Sequence, residues 1–298
     1  MEYKDVVFYN HFGTGDLWAS REFVRVLIDL IDADNYYYAH AKDHHIFFDI
    51  PSLIYKQLDD KCLLREPYVI CGNTLYVNTW IGWAYGKYVF PGVSVTLDNY
   101  KRMFNDALRS LGTIFQFCKS NFDYVPKPDY RFLKDEYVDN VNRFIFQNMD
   151  KTLVLISNGE VQSNQAFNFD FMPIISELAV TYEDSIFIIT EDYLGKPENV
   201  YLANDIIGKT EGTELPEISY LSQYVDIIIG RSSGPFVFAQ TVQNYSNPDM
   251  SLLSFTYEKQ CSHMLKEHET VAKLFWSPDT DHDNILNKIK EVIGVNNE

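Results

Sequence analysis

The feature that most limits what this chain can fold into is an alternation of short β-rich apolar runs with helical stretches. Val6-Val7-Phe8-Tyr9 reads as a buried strand, and the turn Asn10-His11-Phe12-Gly13-Thr14-Gly15-Asp16 follows it. Phe23, Val26, Leu27, Leu30 and Ile31 then recur at helical spacing, which predicts an amphipathic helix over residues 19–32. Strand, glycine-containing turn and helix open a βαβ unit. Tyr36–Ala39, Ile46–Phe48 and Thr74–Thr79 read as further strands, and the spacing of Tyr100, Met103, Phe104, Leu108, Leu111 and Phe115 predicts a helix over 98–120. After a mixed stretch, 121–150, with Pro126 and Pro128 near its start, the alternation begins afresh. Strands are expected at Leu153–Ile156, Ile186–Thr190, Asn199–Leu202, Asp226–Ile229 and Ser251–Phe255. Helices are expected at Phe171–Tyr182, Glu217–Tyr224, Phe236–Gln243 and Ile285–Ile293.

Such a pattern predicts an α/β fold of two facing Rossmann-like domains with largely parallel sheets, spanning residues 1–145 and 146–298. The length of 298 residues agrees, at about 150 residues per domain. Charge divides the same way. Residues 1–149 hold 16 Lys/Arg against 19 Asp/Glu, a net of −3, and residues 150–298 hold 9 against 23, a net of −14. The total of −17 repels a phosphate backbone and argues against broad nucleic-acid binding. Four cysteines without a C-x-x-C pair read as free thiols of a reducing compartment. The N-terminus lacks the apolar run of a signal peptide, and no stretch reaches the roughly 18 apolar residues of a membrane span. A cytoplasmic protein is expected.

In parallel sheets ligands bind outside the carboxyl ends of the strands, so the loops there hold the candidate residues. Gly13-Thr14-Gly15-Asp16 turns into a helix, but Trp18 stands where a dinucleotide fingerprint needs its third glycine. Asp16 is either the cap of that helix or a general base. Late in the chain, the strand Asp226–Ile229 empties into Gly230-Arg231-Ser232-Ser233-Gly234-Pro235, a small-residue turn with two hydroxyls and the sole arginine after residue 149. A turn of that make-up suits a phosphate. Glu191, past a strand, is a candidate for a ribose, and Trp80 and Trp83 for stacking on a sugar face. Asp279-x-Asp281-x-Asp283 lacks the glycine and the glutamate of a calcium loop, and His44, His45, His263 and His268 match no zinc spacing. No metal and no cofactor are expected.

A first βα loop ending in Gly-Asp, paired with a late strand–Ser-Gly–helix turn, resembles the GT-B-fold glycosyltransferases of the heptosyltransferase type. The resemblance covers the layout of most of the chain and is sharp at two loops. It implies a nucleotide-sugar donor whose diphosphate is held by the second domain at Ser232, Ser233 and Gly234; the residues themselves add Arg231 beside the phosphates and Glu191 on the nucleoside. It also implies a glycan or other hydroxyl acceptor on the first domain, near Gly13, Gly15, Trp80 and Trp83, with Asp16 as catalytic base. The last helix is expected to cross back onto the first domain. The chain departs from that family in two places: Ser232-Ser233-Gly234 replaces an Asp-Thr/Ser-Gly sequence, and no lysine follows Leu153–Ile156. The alternatives are a non-catalytic sugar- or partner-binding module on the same fold, and an NAD-dependent oxidoreductase or epimerase.

Overall fold

Apolar runs such as Leu153–Ile156, Ile186–Ile189 and Ile227–Ile229 become strands buried on both faces, as parallel sheets require. A computed structural model describes residues 3–80, 84, 86–90, 96–119, 123–162 and 165–296. The chain divides into two compact units, Met1–Asp129 and Tyr130–Glu298.

The first unit runs β1 (Tyr3–Tyr9), α1 (Thr14–Leu30), β2 (Ala33–Ala39), β3 (Leu53–Lys56), β4 (Tyr68–Cys71), β5 (Thr74–Asn78) and α2 (Leu97–Phe115). Its sheet order is β3-β2-β1-β5-β4, with β3, β2, β1 and β5 parallel and β4 antiparallel to β5. The antiparallel strand, which the apolar pattern did not reveal, is joined to β5 by the two-residue turn Gly72-Asn73, where Gly72 takes a φ of +59°. Ile46–Phe48 is no strand. Asp43 accepts a hydrogen bond from the backbone N–H of His45 and starts a short 3₁₀ turn, His44–Phe47, which buries Ile46 and Phe47. On α1, Leu17, Phe23, Val24 and Leu27 are buried, and the Phe23 ring stacks on Phe104 of α2 at 4.7 Å.

In the second unit the elements are α3 (Asp135–Gln147), β6 (Thr152–Ser157), α4 (Met172–Thr181), β7 (Ser185–Ile189), β8 (Val200–Leu202), α5 (Ala203–Ile207), α6 (Leu215–Leu221), β9 (Ile227–Arg231), α7 (Gly234–Phe238), α8 (Val242–Tyr245), β10 (Ser251–Phe255), β11 (Lys273–Ser277) and α9 (His282–Asn296). The sheet is parallel throughout, in the order β11-β10-β9-β6-β7-β8. Val154, Ile156, Ile227, Ile229, Leu253 and Phe255 form one face of its core against α4 and α9. The strand that closes the sheet is therefore β11, one beyond the expected Ser251–Phe255.

The division lies at 129/130 instead of 145/146. Helix α3 packs on α5 and α6, with Asn140 Nδ2 donating to the Ile207 carbonyl at 3.0 Å and Tyr220 OH donating to Asn142 Oδ1 at 2.9 Å. The final helix α9 packs on α4, β10 and β11 of its own unit, where the expectation had it crossing back. Among the described residues no helix is long and apolar enough to cross a membrane.

Strand order picks out one place in each sheet. The chain leaves β1 toward β2 and β3 on one side and returns to place β5 on the other side of β1; likewise it leaves β6 toward β7 and β8 and returns to place β9 on the other side of β6. At such switch points the loops diverge and open a crevice beyond the strand ends. These are the loops that follow β1 and β5 in the first unit, and β6 and β9 in the second.

Candidate functional site

At the first switch point Asn10 ties the two strand ends together. Its Nδ2 donates to the carbonyl and hydroxyl oxygens of Thr79, both at 3.2 Å, and its Oδ1 accepts from the Phe12 amide at 2.8 Å. The chain then enters α1 with Gly13 as the cap residue, at φ −73°. Neither Gly13 nor Gly15 adopts a left-handed conformation, so the turn does not require glycine for its backbone angles. What holds it is Asp16, in the first turn, whose Oδ2 accepts from the Gly13 amide at 3.2 Å. The other oxygen, Oδ1, accepts the phenol O–H of Tyr100 on α2. Withdrawal of the carboxyl from water pushes its pKa up to about 7, against the pull of the Gly13 and Asp16 amides. A carboxyl that titrates near neutrality, with both oxygens held in place, has the properties of a general base. Tyr100 was legible only as a core position of a helix.

Trp80 follows β5. Its ring lies 5.1 Å from His11 and 5.8 Å from Phe12, whose side chain is 46% exposed, and the Arg65 guanidinium sits 5.8 Å from the same indole. Trp80 Nε1 is buried with no hydrogen-bond partner among the described residues. Trp83 lies outside the described residues. Trp18 is buried, with the Arg21 guanidinium 3.9 Å from its ring, so the third position of a dinucleotide fingerprint is filled by a core side chain.

At the second switch point, β9 extends through Arg231, which the expectation had placed in the turn. Its guanidinium is buried and engaged. Nη1 donates to the carbonyls of Phe167 at 3.4 Å and Phe169 at 3.0 Å, and Nη2 to those of Asn158 at 2.8 Å and Gly159 at 2.7 Å. The rings of Phe169 and Phe171 lie 5.1 and 5.0 Å from it. Burial lowers its pKa from the usual guanidinium value, opposed by Glu160, Glu191 and Asp170. Arg231 is thus the clamp of the loop that leaves β6.

Ser232, also buried, is hydrogen-bonded through Oγ to His263 Nδ1 at 2.8 Å. Ser233 and Gly234 are partly exposed at the start of α7, which is five residues long and contributes little dipole. A Cβ on Gly234 would meet Leu215 Cδ2 at 3.7 Å, an ordinary contact, whereas one on Gly230 would meet Ser157 Cβ at 2.8 Å and Phe236 Cδ2 at 3.1 Å. The glycine that the packing demands is therefore Gly230, where strand and helix close on each other. Glu191 is exposed beyond β7, beside Gly159. Asn158 positions it: Oδ1 accepts from the amides of Thr190 and Glu191 at 2.9 and 2.8 Å, and Nδ2 donates to the Glu191 carbonyl at 2.7 Å. Among the described residues no group of three His, Cys, Asp or Glu side chains converges to hold a metal ion.

By sequence the chain matches no family model and no curated protein. Solved structures do match it. An E. coli heptosyltransferase, WaaC, solved with ADP superposes with a TM-score of 0.51 at 6% identity, over 98% of this chain and 99% of that one. The E. coli ADP-heptose LPS heptosyltransferase II gives 0.50 at 12% identity, over 99% and 100%. The chain has the GT-B fold. In GT-B terms the β1–α1 loop with Asp16 belongs to the first Rossmann-like domain, and the β6–α4 and β9–α7 loops belong to the second. Fold alone does not carry chemistry, which has to be argued from these loops.

Proposed function

We propose that this protein is a glycosyltransferase that moves a sugar from a nucleotide-diphosphate donor to an acceptor hydroxyl, with Asp16 as the general base. The observation that carries the reading is the Asp16 carboxyl: it stands at the first switch point, is fixed by Gly13 and Tyr100, and titrates near 7. An acceptor hydroxyl loses its proton to this carboxylate as its oxygen attacks the anomeric carbon, and the nucleoside diphosphate departs with the electrons of the broken C–O bond. The acceptor lies against the Gly13–Gly15 backbone and Trp80, with Phe12 extending the aromatic surface. The donor diphosphate lies at Ser232, Ser233 and Gly234, and the ribose at Glu191. Arg231 serves this site through the loop it clamps, since four carbonyls already occupy its terminal nitrogens. The reading uses no metal.

The test begins with nucleotides. ADP is the nucleotide with which the WaaC neighbour was solved, so ADP and ADP-sugars come first, with UDP, GDP and their sugars beside them. A ligand at 100 times its Kd stabilises by about 2.7 kcal/mol, which a thermal-shift panel resolves. Hydrolysis or transfer of the sugar that binds, unchanged by EDTA and lost in Asp16→Asn, supports the reading. Activity abolished by EDTA and restored by magnesium or manganese overturns its metal-free mechanism.

A further inference from the structure

His263 belongs to the loop that leaves β10, next to β9 in the sheet, and its backbone is left-handed at φ 56°, ψ 10°. Few residues other than glycine tolerate that region, and the conformation persists only where the surroundings impose it. Here they do. The carbonyl of Ser262 accepts from Gln240 Nε2 at 3.0 Å, the amide of Leu265 donates to Tyr245 OH at 3.3 Å, and Tyr245 OH donates to Gln240 Oε1 at 3.1 Å. Gln240 and Tyr245 are both buried, so the residues on either side of His263 are pinned. The result is an imidazole delivered to Ser232 Oγ at the end of β9. On the same face of the sheet, Ser157 and Ser254 flank Gly230 in one cross-strand row, and both hydroxyls are buried with no partner among the described residues. Among the described residues this row presents hydroxyls, while the nearby cations are engaged: Arg231 by four carbonyls, and Lys259, on the same loop as His263, by Glu267 at 2.8 Å.

We propose that Ser232 and His263 act as a pair to receive the donor's diphosphate, with His263 as a positioning residue; this rests on the donor reading above. In the pair either heavy atom is able to donate. A phosphate oxygen accepts hydrogen bonds, so bound diphosphate selects the arrangement in which His263 Nδ1–H donates to Ser232 Oγ and the serine O–H donates to phosphate. The imidazole thereby sets the direction of the serine proton.

Titration calorimetry with ADP, UDP and GDP, and with each matching nucleoside as the phosphate-free control, tests the pair. Three variants separate backbone from hydrogen bond. His263→Gly keeps the left-handed loop and removes the donor, His263→Asn keeps both a tolerated backbone and an N–H, and Ser232→Ala removes the hydroxyl. The diphosphate that binds the wild type should bind His263→Gly and Ser232→Ala about tenfold or more weakly, the scale of one hydrogen bond to a charged group. Their double variant should be no weaker than Ser232→Ala alone, and His263→Asn should recover most of the affinity. Nucleoside binding should be unchanged in all of them. Wild-type affinity in His263→Gly, additive losses, or an equal loss of nucleoside binding overturns the pair and leaves the donor reading standing. A wild type that binds none of the three diphosphates overturns both.

Discussion

In the proposed role of Asp16, stability and chemistry oppose each other within one side chain. Its folded pKa, about 7, stands above the 3.8 of an ordinary aspartate, so the folded state binds the proton more tightly than the unfolded state does. Stability from this group is fully present below pH 3.8 and is lost as pH rises toward 7. Asp16→Asn should therefore melt higher than the wild type at pH 8, with the difference shrinking toward pH 4, as scanning calorimetry at the two pH values will show. Because asparagine also caps helices, the fold should persist while sugar transfer drops by roughly 100-fold or more, the scale of a lost general base. Wild-type turnover in this variant would reduce Asp16 to a cap. Tyr100 works in the opposite sense to burial. A phenol O–H that donates to a carboxylate favours its charged form, so Tyr100→Phe should move the acidic limb of the pH–rate profile upward and cut the rate at pH 7. An unshifted limb would mean that the phenol only packs.

At the scale of elements, the turn after β9 depends on two features that look alike in sequence and act differently in space. Gly230 is where β6, β9 and α7 converge. Gly230→Ala should destabilise the second unit by about 1–3 kcal/mol, the usual result of overpacking, whereas Gly234→Ala should be near neutral. Arg231→Ala removes one guanidinium from four carbonyls and should cost roughly 2–4 kcal/mol, with faster amide exchange across residues 158–169. Nucleotide binding then falls because the loop loosens. If exchange in 158–169 stays at the wild-type rate while ADP binding is lost, the arginine contacts the phosphates after all.

Across the whole molecule, charge is distributed against the proposed ligand. The unit Tyr130–Glu298 carries 12 Lys/Arg and 26 Asp/Glu, a net of −14, so its overall field repels a nucleoside diphosphate. Capture has to be local, through hydroxyls and amides. Raising ionic strength from about 0.01 to 0.15 M shortens the Debye length from roughly 30 to 8 Å and should speed nucleotide association. Stopped-flow binding at the two salt concentrations checks the sign, and a slower association at high salt would point to an exposed cationic patch.

What the sequence determined by itself was the local periodicity. Alternation of β-rich runs and helical stretches is written in neighbouring residues, because a strand or a helix face is decided by spacings of two to four positions. That sufficed for two domains with largely parallel sheets, and it put Asp16, Ser232 and Glu191 in the segments that follow the carboxyl ends of strands. The tertiary structure decided what those residues touch. Tyr100 meets Asp16 across 84 positions, Arg231 reaches Asn158 across 73, and His263 reaches Ser232 across 31. No periodicity records such pairings, because the intervening chain is free to bring any residues together until the sheets and helices pack. Burial in the packed state then raised the Asp16 carboxyl toward neutrality and turned a lone arginine in an acidic half-chain into a clamp for its own backbone. Hydrogen-bond partners and desolvation are properties of a place in the fold, and only the assembled core creates the place.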